Sequence, residues 1–143
     1  MTTVVDASVV VDWIAPNRPE ASPALTLLAL LADTGEPLAA PVLMLHEVAN
    51  ALLTGVRRER WSGAEADAAH AALTTLPVAL LDEPADSGRA YELSRRHDEH
   101  PLYDMVYLAL AQRLPARLVT ADLRLLARVG HLPEVLAVEE AIG

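Results

Sequence analysis

Five short apolar runs punctuate the chain at Thr2 to Val5, Leu38 to Ala40, Val78 to Leu81, Leu118 to Thr120 and Val135 to Val138. Between them lie stretches with helical periodicity: Val9 to Ile14, Pro23 to Asp33, Leu43 to Arg58, Ala64 to Thr74, Asp86 to His97, Leu102 to Arg113 and Leu123 to Arg128. Strands that alternate with helices can bury themselves only in a parallel sheet covered on both faces. The expected architecture is therefore a three-layer α/β/α domain with a central parallel sheet of about five strands. No repeat, low-complexity tract or Gly/Ser linker divides the 143 residues, so a single domain spanning 1–143 is expected. A chain of this length buries about two-thirds of its unfolded surface in one core.

In an open parallel sheet, ligands collect at the carboxyl ends of the strands, near the point where strand order reverses. Asp6 ends the first run, and Asp122 follows the fourth by two residues. If the chain winds outward from the first strand and returns beside it with the fourth, the two aspartates meet at that point. Each also has a plain structural reading, because aspartate readily accepts from the free N–H groups at the start of a helix. Ser8 could cap the first helix equally well.

Asp104 immediately precedes Met105-Val106-Tyr107-Leu108-Ala109-Leu110-Ala111, a segment apolar on nearly every face and hence buried. A carboxylate there gains from the positive end of the helix dipole, but an unpaired buried charge calls for a cation nearby. Glu47 shares one face of its helix with Asn50 and Thr54, away from the stripe of Leu45, Val48, Ala49 and Leu52. On its own it reads as solvent-exposed. Four oxygen ligands from four separate elements are what hard cations such as Mg²⁺ or Mn²⁺ require. Two such ions, roughly 3.5–4 Å apart, can activate a water and steady the leaving oxygen of a phosphodiester.

The sequence resembles the PIN-domain ribonucleases, specifically the VapC-type toxins of type II toxin–antitoxin systems. The likeness rests on Val4-Val5-Asp6-Ala7-Ser8, on Glu47-Val48-Ala49-Asn50-Ala51-Leu52, on Tyr103-Asp104 with Tyr107-Leu108-Ala109-Leu110-Ala111, and on Val119-Thr120-Ala121-Asp122. It implies metal-binding carboxylates at Asp6, Glu47, Asp104 and Asp122, a hydroxyl at Thr120 that orients water or phosphate, and support from Ser8 and Asn50. It further implies an endoribonuclease toxin that cleaves tRNA, rRNA or mRNA through a metal-activated water. A homodimer and a cognate VapB-type antitoxin follow from the same resemblance, with the antitoxin's C-terminal segment lying near the active site. Relatives often carry Lys just after the last aspartate, where this chain has Leu123-Arg124, and some carry a further acid where this chain has Leu125-Leu126. Arg124 is the expected substitute, and a second ion is expected to bind weakly or only with substrate.

Composition constrains the setting. The chain has no cysteine, which removes disulfides, thiolate metal sites and cysteine nucleophiles, so metal ligands must be oxygen or imidazole. Apolar runs such as Ala24 to Ala32 fall short of the roughly 20 residues needed to span a bilayer, and nothing at the N-terminus reads as a secretory signal. A cytoplasmic protein without a membrane segment is expected. The net charge of −9 opposes RNA binding, which normally depends on a basic surface. Clustered carboxylates that hold two divalent ions would offset about four of those charges, and a local arginine patch would still be needed.

Arg57-Arg58-Glu59-Arg60-Trp61 is the best candidate for that patch, although its plainer reading is a solvated helix end with Trp61 folded back. His97-Asp98-Glu99-His100 lacks the spacing of a zinc motif and is expected to face water, as is most of His46. Leu25, Leu27, Leu28, Leu30 and Leu31 surround their helix more fully than one core-facing stripe requires, which suggests a contact with another chain. Two rivals stand beside the nuclease: a non-catalytic binding protein on the same scaffold, and a phosphoryl-accepting receiver domain with Asp82 as acceptor. The receiver reading lacks the paired acids at the first strand and has no Lys anywhere.

Overall fold

The computed structural model describes residues 1–143. Five strands, β1 (Thr3–Val5), β2 (Leu38–Ala40), β3 (Val78–Leu80), β4 (Arg117–Thr120) and β5 (Val135–Ala137), form one sheet in the order β3-β2-β1-β4-β5. Every pairing is parallel, with Val4 opposite Ala39 on one side and Leu118 on the other. Eight helices connect and flank them: α1 (Ala7–Ile14), α2 (Pro23–Thr34), α3 (Leu43–Arg57), α4 (Gly63–Leu73), α5 (Pro84–Arg96), α6 (Leu102–Arg113), α7 (Leu123–Val129) and α8 (Val138–Ile142). The expected three-layer arrangement is what the chain adopts, including the return of the fourth strand to the side of the first. Val138, read as the end of the last strand, instead opens α8.

The chain steps outward from β1 to β2 to β3 and then crosses back to β4. Right-handed crossovers therefore put α1 to α4 on one face and α5 and α6 on the other. Packing follows that division: α1 meets α2, α3 and α4, while α5 lies along α6, which covers β1 and β4. Burial explains the composition of α6. Met105, Tyr107, Leu108, Ala109, Leu110 and Ala111 are all enclosed, since the helix lies between the sheet and α5.

Local signals fix the ends of these elements. Ser22 caps α2 by accepting from the Leu25 N–H, and Pro23 occupies the first turn, where its missing N–H removes no hydrogen bond. Ser62 and Glu65 form a reciprocal capping box at α4. Trp61 is folded back, as its plainer reading had it: the indole donates to the Leu52 carbonyl at 2.9 Å and is 9% exposed. A Cβ at Gly55 would lie 2.1 Å from that ring, which accounts for a glycine in the middle of α3. Trp61 is thus a core residue and presents no face for a base, while Arg57, Arg58 and Arg60 remain exposed.

Candidate active site

The reversal of strand order lies between β1 and β4, where the Asp6 N–H donates to the Val119 carbonyl at 3.1 Å. Asp6 occupies the capping position of α1 but makes no side-chain cap. Its Oδ2 instead accepts from Thr120 Oγ1 at 2.6 Å and from Ser8 Oγ at 2.8 Å. The carboxylate is only 5% exposed and has no cation beside it. Burial pushes its pKa up, the two hydroxyls pull it down, and the negative charges of Asp104 and Asp122 push it up again.

Thr120 is fully buried, with its proton directed to Asp6 while its oxygen accepts from the Asp122 N–H at 3.0 Å. Its contacts are those of a residue that fixes Asp6, rather than one that reaches water or phosphate as expected. Ser8 completes the connection by accepting from the Ala121 N–H at 3.0 Å. Asn50, the other supporting position, is exposed.

Glu47 is half-buried rather than solvent-exposed, and its Oε1 accepts from the Tyr107 hydroxyl at 2.6 Å. Since α3 and α6 cover opposite faces, the two residues meet over the carboxyl edge of the sheet. Tyr107 is fully enclosed, and its phenol is held far above its ordinary pKa by burial first and the bond to Glu47 second. It is therefore always a donor. Burial also raises the Glu47 pKa, opposed by the Tyr107 bond and reinforced by Asp6, Asp104 and Asp122.

Asp104 stands in the first turn of α6, where its Oδ2 lies 2.6 Å from His100 Nε2. His100 is 8% exposed, which corrects the expectation that the His97–His100 segment faces water; only Asp98 and Glu99 do so. Asp122 caps α7 through Oδ1, which accepts from the Arg124 and Leu125 N–H groups, as its structural reading proposed.

A single pattern unites the four carboxylates. Each has one oxygen held by a protein donor: Asp6 by Thr120 and Ser8, Glu47 by Tyr107, Asp104 by His100, and Asp122 by the start of α7. The second oxygen of each has no protein hydrogen bond. No three of these side chains are drawn around one point. The all-oxygen donor set fits a hard divalent ion in chemistry and in the free oxygen on each residue.

Comparison with known proteins agrees with this architecture. The model of the PIN domain family matches residues 3–132. Ribonuclease VapC1 of Mycobacterium tuberculosis is 36% identical over 129 residues, covering 89% of this chain and 90% of the relative. The chain belongs to the PIN-domain family, in its VapC branch. Solved structures with the same fold include PAE2754 from Pyrobaculum aerophilum, with a TM-score of 0.72 and 22% identity over 99% of this chain and 96% of that one. A toxin–antitoxin complex from Klebsiella pneumoniae matches with a TM-score of 0.65 and 18% identity over 96% and 98%. VapBC2 from Rickettsia felis, bound to a DNA fragment from its promoter, matches with 0.64 and 17% over 96% and 97%.

Within this PIN domain, sequence reasoning missed His100 and Tyr107 as members of the site. A tyrosine within an otherwise apolar buried helix has a hydroxyl that must find a partner, and that signal was available. His100 gave a weaker one, four residues before Asp104 but across Pro101 and outside the helix.

Proposed function

We propose that this PIN domain is a metal-dependent endoribonuclease and the toxin of a toxin–antitoxin pair. The observation that carries the reading is Asp6, a buried carboxylate without a cation, set at the strand-order reversal among three further carboxylates that each keep one oxygen free. Mg²⁺ or Mn²⁺ would be held by Asp6, Glu47, Asp104 and Asp122. When bound, such ions supply the positive charge that polarises an attacking water and offsets charge on the phosphate and leaving oxygen.

The protein's own part is positional. Thr120 and Ser8 fix Asp6 against the start of α1, Tyr107 fixes Glu47 across the sheet edge, and His100 fixes Asp104 at the start of α6. Partners that orient ligand side chains commonly alter metal affinity by about 10–100-fold when removed. The resemblance to VapC1, named a ribonuclease, supports RNA as the substrate. An antitoxin of the VapB type as partner, in keeping with the toxin–antitoxin complexes among the solved structures, and a homodimer as the working form belong to the same proposal. The exposed Leu30 is available for such contacts, whereas Leu27 and Leu31 belong to the core. No helix is long and apolar enough to cross a membrane.

Purified protein should cleave single-stranded RNA with Mg²⁺ or Mn²⁺ and lose that activity with EDTA. Asp6→Asn and Asp104→Asn should each abolish cleavage and growth inhibition while the fold persists. Undiminished cleavage by both variants would sink the assignment. The alternative is a non-catalytic PIN scaffold that acts through its partner. It predicts a tight partner complex with neither metal binding nor cleavage.

A further inference from the structure

Beside Asp104 a cavity of about 460 Å³ opens between the start of α6 and the outer face of α7, lined by His100, Pro101, Asp104, Arg124, Ala127 and Arg128. Arg124 and Arg128 are four residues apart on α7 and so project from one side of it. Both are exposed, and the Arg124 guanidinium has neither a salt bridge nor a hydrogen-bond acceptor. Arg128 is paired with Asp98 at 2.6 Å, but Asp98 is 83% exposed, and exposed pairs of this kind contribute little and exchange readily. In a chain of net charge −9, the two arginines on one cavity wall offset Asp104 and Asp98 and leave the Arg124 guanidinium unpaired next to an expected metal ligand.

We propose that this cavity binds a backbone phosphate of single-stranded RNA, next to the phosphate undergoing cleavage, with Arg124 and Arg128 as its ligands. The inference rests on the nuclease reading and adds the anchor by which an acidic surface holds an anionic chain. Guanidinium groups suit the task, because their fork of N–H donors matches the oxygens of a phosphate. Asp104 on the opposite wall would repel the same phosphate unless divalent ions sit beside it, so RNA and cations are expected to reinforce each other's binding. Asp98 acts as a competitor that occupies Arg128 when RNA is absent. His100, largely buried where it lines the cavity, directs its Nε2 at Asp104.

The test uses a fluorescent mixed-sequence single-stranded RNA, titrated between about 50 and 200 mM salt, where each phosphate contact contributes a slope of about 0.7 in log affinity against log salt. Arg124→Ala combined with Arg128→Ala should weaken binding by roughly 5-fold at about 0.1 M salt and reduce the slope by about 0.7. KM for cleavage should rise in parallel while kcat at saturating RNA and Mn²⁺ affinity, measured by electron paramagnetic resonance, stay at wild-type values. Asp98→Asn, which keeps a residue suited to the left-handed backbone at that position (φ 55°), should tighten RNA binding. Glu92→Gln, which removes an exposed charge elsewhere, should tighten it less.

Unchanged affinity and slope in the double arginine variant would overturn the proposal and leave an acidic protein segment as the occupant. A fall in kcat with KM unmoved would overturn it as well, by showing that the arginines act on the chemical step. Failure of the nuclease reading itself looks different: the wild-type protein would neither bind Mn²⁺ nor cleave RNA, whatever the arginine variants did.

Discussion

Two aspartates in this molecule are almost equally shielded from solvent, Asp6 at 5% exposure and Asp86 at 4%, yet Asp6 lies deep in the protein and Asp86 close to its surface, and they are handled in opposite ways. Asp86, near the start of α5, receives a fork from Arg113, with Nε to Oδ1 at 2.8 Å and Nη2 to Oδ2 at 3.0 Å. The same Nη2 also donates to the Leu81 carbonyl, which ties α5, α6 and the end of β3 together. Arg113 holds the Asp86 carboxyl below its usual pKa. Asp6 is pushed upward, by burial first and by the like charges of Asp104 and Asp122 after it, against the pull of two neutral hydroxyls. One carboxylate is neutralised within the chain, and the other has no cationic side chain beside it. A buried charge left unneutralised is a standing cost to the fold, and such perturbed groups concentrate where function demands them.

Replacing each aspartate should separate the two roles. Asp6→Asn is expected to reduce RNA cleavage to background, the largest of the expected effects. The asparagine carbonyl can still accept from Thr120 and Ser8, and the desolvated charge is gone. Melting of the metal-free protein should therefore stay level or rise by roughly 2–4 °C. A large fall in that temperature would mean Asp6 is a structural residue and would break the comparison. Divalent cations should sharpen it: at about 100 times its dissociation constant, a bound ion stabilises by about 2.7 kcal/mol. Calorimetry with Mn²⁺ should show wild-type melting up by roughly 5–10 °C, and Asp6→Asn should lose most of that rise.

Asp86→Ala should do the reverse, with no direct effect on cleavage chemistry and a melting temperature lower by roughly 5 °C in the presence or absence of cations. An activity loss larger than the loss of folded protein would show that the Asp86–Arg113 fork communicates with the site. Gly55→Ala should also lower stability, because the added methyl meets the Trp61 ring, and it should do so without altering metal binding.

Strand positions and their order were legible because apolar runs and helical periodicity are local, and handedness then limits the topology. That reasoning brought Asp6 and Asp122 together. Val138–Ile142 was missed because a five-residue helix that begins on a valine has no periodicity to distinguish it from a strand end. The distinction between Asp6 and Asp86 was not legible at all, since it depends on whether Arg113, 27 residues away, reaches a carboxylate. His100 was misjudged for a related reason. Neighbouring Asp98 and Glu99 are solvated, and only the left-handed turn they make, with φ of 55° and 53°, separates the buried histidine from them.

The smallest expected effect is a pH dependence, and it tests the comparison from the side of Asp86. Because the folded protein holds this carboxyl below its ordinary value of 3.8, the unfolded chain binds the proton first as pH falls. The stability contributed by the fork is complete above pH 3.8 and is lost as pH drops from there through the folded value. Wild-type protein should consequently lose stability over that interval faster than Asp86→Ala, whose curve lacks this component. Chemical denaturation at a series of pH values between about 2 and 6 would resolve the two curves. If they ran parallel throughout, Arg113 would not be neutralising Asp86 in solution. Asp86 would then be, like Asp6, a carboxylate with no neutralising partner in the chain, and the contrast between the two would collapse.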